Sequence, residues 1–150
     1  MKTTAAFKTG LERLDHLWKP GQFGKALAVV DRLLSDWPDN PLLLVKRAQI
    51  IQLQETENGP SLEEARGALE RAVALDEESP QPLIELGFFL LNVEDNAVAA
   101  ADCFRKAEAL VTGLLKECRK GKKAALAEAS EETVQTIYRM RHQGRSVVKP

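Results

Sequence analysis

Two histidines, His16 and His142, and two cysteines, Cys103 and Cys118, are the side chains of this 150-residue chain best suited to proton transfer, nucleophilic attack or soft-metal binding. Their spacing offers little chemistry. Asp15 directly precedes His16, and adjacent helical residues do not face each other. His142 stands near a basic tail with no acidic or thiol companion close in sequence. The cysteines form no CxxC pair, and both fall on predicted helices beside small or apolar residues, which predicts buried free thiols. No HExxH, GxSxG or GxxxxGKS/T pattern occurs. The stretch Gly21-Gln22-Phe23-Gly24 lacks the lysine and hydroxyl of a phosphate loop and reads as a turn. The acidic pairs Glu63-Glu64 and Glu77-Glu78 sit at predicted helix ends, where the helix dipole and solubility account for them. The residues therefore predict no catalytic, cofactor-binding or metal-ligating set, and a protein that is not an enzyme.

The net charge of −1 conceals an asymmetry. Residues 1–110 carry 12 Lys and Arg against 18 Asp and Glu, a balance of −6, whereas residues 111–150 carry 9 against 4, a balance of +5. Either the basic part lies on the acidic body or it meets an acidic partner. Its densest stretch holds Lys116, Arg119, Lys120 and Lys123, which can share one helix flank. Phosphate contact would use such charges. No aromatic residues are interleaved for base stacking, so a solvated face is preferred, and nucleic-acid contact through this helix is the weaker alternative. A composition 44% hydrophobic and 29% charged is that of a folded globular chain. No apolar run approaches membrane-spanning length, and the first 18 residues hold no signal-peptide core. A cytoplasmic protein without membrane contact is expected.

The elements that hold these residues follow a repeat. Ala26, Ala65 and Ala100 each sit in an apolar stripe. Three residues earlier stand Phe23, Leu62 and Ala97; four residues later, Val30, Leu69 and Phe104; seven residues later, Leu33, Ala72 and Ala107. This spacing marks one face of a helix with 3.6 residues per turn, and the small central residue lets a second helix approach. Pro38, Glu77 and Thr112 follow at the position expected to end each helix. After the first two stops come LLLVKRAQIIQL and LIELGFFLL, with Ala48 and Gly87 as small residues one turn beyond Leu44 and Leu83. Ser61 with Glu64 predicts a capping box after the Gly59-Pro60 breaker. Helices are expected over 5–18, 22–36, 41–54, 61–75, 81–92 and 96–111. The first of them shows no clear small residue for a helix crossing.

In Gly21, Phe23, Ala26, Leu33 and Pro38, then Leu62, Ala65, Ala72, Leu83, Leu86 and Gly87, then Ala100, Phe104 and Ala107, residues 7–112 resemble about three degenerate tetratricopeptide repeats. The resemblance implies an all-α fold, a right-handed superhelical array of antiparallel helix pairs with a long C-terminal capping helix. It also implies a non-catalytic adaptor or scaffold that binds a partner peptide or amphipathic helix on the concave face, which the first helix of each pair lines. On this chain that face offers Leu42, Val45, Gln49 and Gln52, then Gln81, Ile84, Phe88 and Leu91, with Trp18 at its edge. Few basic residues lie there, which favours a hydrophobic or amphipathic ligand over a terminal carboxylate. A small chaperone for a secreted or assembling client is the alternative. A permanently covered structural subunit is a third class.

Beyond residue 112 the chain reads as a cap and extension over 113–143, with 144–150 a flexible tail. Leu110, Leu114, Cys118, Ala125 and Ala129 form a stripe, and Gly121 with its neighbouring alanines would allow close packing. The stretch runs unbroken or divides near Ser130, where Glu131 and Glu132 follow as at a helix start. Val134, Ile137, Tyr138 and Met140 continue an apolar face and are expected to contact a second copy or another partner.

Overall fold

A computed structural model of the chain describes residues 3–54, 59–128 and 131–143, with the side chains of 131–134 and 142–143 excepted. Among these residues all regular structure is helical: α1 (Thr4–His16), α2 (Phe23–Asp36), α3 (Pro41–Leu53), α4 (Leu62–Leu75), α5 (Pro80–Asn92), α6 (Ala97–Glu128) and α7 (Glu131–Gln143). The chain divides into two compact units, residues 1–110 and 111–150, and the boundary falls inside α6.

The repeat is visible in the backbone. Both ends of α2 and α3 recur 39 residues later as the ends of α4 and α5. The caps recur too. Trp37 ends α2 at φ −128°, ψ 69°, and Asp76 ends α4 at φ −137°, ψ 72°. The N–H of Trp37 reaches the carbonyl of Leu33, and that of Asp76 reaches Ala72. Pro41 and Pro80 then occupy the first turn of the following helix, where a missing N–H removes no intrahelical bond. The Asn40 side chain accepts from Leu43 N at 3.1 Å. At α4 the predicted capping box forms: Ser61 Oγ accepts from Glu64 N, and Glu64 Oε1 accepts from Ser61 N, both at 3.2 Å. The Lys19–Gln22 turn before α2 needs Gly21, whose φ of +77° lies in the left-handed region.

The third copy departs from this plan. A helix over 96–111 followed by a separate one from Gly113 is corrected to one continuous α6. Val111, Thr112 and Gly113 supply no proline, and Gly113, a residue type that often ends helices, stays inside this one. A lone glycine costs only about 1 kcal/mol against alanine inside a helix, less than a break among strong helix formers.

In the first unit, successive helices α1 to α5 pack each on the next, and α3 also touches α5. Phe89, Leu14, Leu43, Ile50, Leu69 and Val30 are the largest fully buried side chains. Each contributes roughly 1.5–3 kcal/mol by leaving water. The residues expected to pack the repeat, Ala26, Ala48, Ala65, Ala72, Ala100 and Ala107, are all buried, as is Gly87. Arg47 on α3 ties three helices by donating to Asp31 on α2 at 2.8 Å and to Glu64 on α4 at 3.1 Å. Burial alone would lower the Arg47 pKa, but the two carboxylates outweigh it and raise it.

Candidate partner-binding surfaces

Along α3 and α5, and at Trp18 just beyond α1, the expected contact residues divide by exposure. Leu42, Phe88 and Leu91 are 46%, 50% and 39% exposed, which is high for large apolar side chains. Gln81 is exposed, and Trp18, Gln49, Gln52 and Ile84 are half-buried. Val45 is a correction. At 4% exposure it belongs to the core and cannot meet a partner directly. Helix α3 packs against α2, α4 and α5 together, so apolar positions on more than one of its sides are covered.

Polar contacts tie down part of this row. Lys46 Nζ lies 3.4 Å from Asp15 Oδ1 and 5.2 Å from the centre of the Trp18 ring, joining α1 to α3 through an ion pair and a cation–π contact. Trp18 meets Phe23 edge to face at 6.5 Å, and Phe88 meets Phe104 of α6 at 5.0 Å. The Gln52 amide donates to the Ala48 carbonyl on its own helix at 3.2 Å, and that of Gln81 donates to Glu85 at 2.8 Å. Leu42 and Leu91 remain as apolar side chains open to solvent.

Of the cysteines, Cys103 is buried as expected, and its pKa is raised because burial disfavours the thiolate. Cys118 is exposed, which corrects the expectation of a buried thiol. Its companions Leu114 and Ala125 are exposed as well, and a Cβ at Gly121 would meet nothing within 4 Å. Lys116, Arg119, Lys120 and Lys123 are exposed. On α7, Ile137, Tyr138 and Met140 are 48%, 53% and 70% exposed, while the Val134 side chain, Ala129 and Ser130 lie outside the described residues.

Sequence reasoning missed one surface. A cleft of about 770 Å³ runs between α1 and α2, with Gly10, Arg13 and Leu17 on one wall and Lys25, Val29, Arg32 and Trp37 on the other. The available signal was Ala28 and Val29, apolar residues that fall off the Ala26 stripe. A smaller opening of about 460 Å³ lies among Val73, Leu83, Lys106 and Leu110.

Among the described residues no three His, Cys, Asp or Glu side chains are placed to hold a metal ion, and no helix is long and apolar enough to cross a membrane. Compared with known proteins, the chain matches no family model and no curated protein.

Proposed function

We propose that this chain is a tetratricopeptide-like adaptor, a cytoplasmic protein-interaction module that takes an amphipathic or hydrophobic segment of a partner along α1, α3 and α5. The observation that carries this reading is the exposure of the large apolar side chains Leu42 on α3 and Phe88 and Leu91 on α5. Repetition supports it. Helix pairs that recur every 39 residues place equivalent faces side by side, and stacked pairs of this kind make extended binding surfaces. A partner helix would bury its leucines and aromatics against this row, with Gln49 and Gln81 at its polar margin.

Leu42→Asp combined with Leu91→Asp tests the reading, because both side chains are exposed and their loss leaves the core intact. The partners captured by the wild-type chain from its native cell should be lost from the double variant, with helicity unchanged by circular dichroism. Capture of the same partners by both chains would refute the row as the binding surface.

A further inference from the structure

The α1/α2 cleft is separate from the row on α1, α3 and α5 in the residues that line it. Its floor is apolar, with Leu17, Val29, Leu33 and Trp37. Three cations, Arg13, Lys25 and Arg32, stand around it against a single carboxylate, Asp36. None of the three forms an ion pair among the described residues.

The repeat shows what covers a face of this kind. A step of 39 residues carries Arg32 on α2 to Arg71 on α4. There the preceding hairpin supplies the carboxylates. Arg71 donates to Asp39, in the turn after α2, and Arg47 donates to Asp31 on α2 itself. Helix α2 thus packs on α3, and the turn behind it meets α4 through Asp39 and Arg71, with carboxylates aimed at arginines. The first hairpin presents Arg32 in the equivalent place without its carboxylate.

We infer that the α1/α2 cleft is a docking groove for an acidic amphipathic helix of a partner protein, laid against the first hairpin. The apolar stripe of that helix covers Val29 and Trp37, and carboxylates on its flanks meet Arg13, Lys25 and Arg32. Charge argues against two other occupants. Residues 111–150 of the same chain balance at +5 and would set cations against cations. A second copy stacked end to end would present α6 where α2 lies, and the residue in register with Asp31 is then Arg105, again a cation.

The test uses the full chain with Trp18→Phe, which leaves Trp37 as the only tryptophan and a reporter within the groove. The probe is a synthetic helix of about five turns, with leucine and alanine on one face and glutamate elsewhere. Trp37 fluorescence should change saturably. The affinity should fall at least about tenfold in Arg13→Glu with Arg32→Glu, and should weaken with added salt. The same peptide with lysine in place of glutamate should bind at least about tenfold more weakly. Both arginines are exposed, so the variant keeps its fold, and Lys25→Glu provides an independent second variant. No saturable signal, equal binding of the lysine peptide, or indifference to both charge reversals would overturn the proposal. So would a dimer of the unliganded chain that Arg13→Glu with Arg32→Glu dissociates, since a second copy would then be the occupant. Leu42→Asp with Leu91→Asp should leave this binding unchanged, which separates the fate of this groove from that of the α1, α3 and α5 row.

Discussion

A Cβ added at Gly10 would come within 2.5 Å of Leu33 Cδ2, and one at Gly87 within 2.8 Å of the Phe104 ring. Gly10 is thus the small residue that the first helix was expected to lack, placed where α1 crosses α2. Leu33 is only 7% exposed, and its side chain must shift to admit the added atoms. Gly10→Val should therefore destabilise the fold by about 2 kcal/mol through overpacking, read as a lower urea midpoint. An unchanged midpoint would mean that α1 shifts freely on α2. The alanines of the stripes were legible because their small size recurs at helical spacing. Gly10 was not, because its significance lies in Leu33, 23 positions away in sequence and adjacent only after folding. Val45 shows the same limit from the other side. Periodicity assigns a face to a residue, whereas depth depends on how many helices reach that face.

Helix boundaries came from local chemistry, and most of them were legible. Proline at the first turn, asparagine or serine before it and a capping box at Ser61 are each decided within a few residues. The Arg47 and Ser61 hydrogen bonds hold the Glu64 carboxyl below its ordinary pKa range. A depressed folded-state pKa adds stability above the unfolded value, and that stability is lost as pH falls through the folded value. Urea midpoints should thus drop between pH 7 and pH 3, and Glu64→Gln, which keeps the cap but not the charge, should show a smaller drop. Equal drops in both proteins would remove Glu64 from the acid response. The end of α6 was the boundary misread at this scale. Thr112 stood in register with Pro38 but carries none of its effect on the backbone, so the third helix continues.

The chain as a whole combines a repeated core with a helical extension of opposite charge. The first unit has its own hydrophobic cluster, whereas residues 111–128 and 135–141 are exposed or half-buried. Ile137, Tyr138 and Met140 on α7 are exposed apolar side chains there, expected to contact a second copy or another partner. Ending the chain after residue 128 should then lower the mass by light scattering or weaken partner binding. Unchanged mass together with unchanged partner binding would discard that contact.

Sequence alone determined that the chain is helical, that its helices pair in a repeat and where most of them start. These properties follow from spacing and capping over one or two turns, and such interactions do not depend on distant residues. Tertiary structure decided which apolar residues remain outside. Val45 went to the core, while Leu42, Phe88 and Leu91 stayed partly open. The pairing of α1 with α2 also created the cleft ringed by Arg13, Lys25 and Arg32. Exposure and concavity are properties of neighbouring helices taken together, and no single stretch of sequence encodes them.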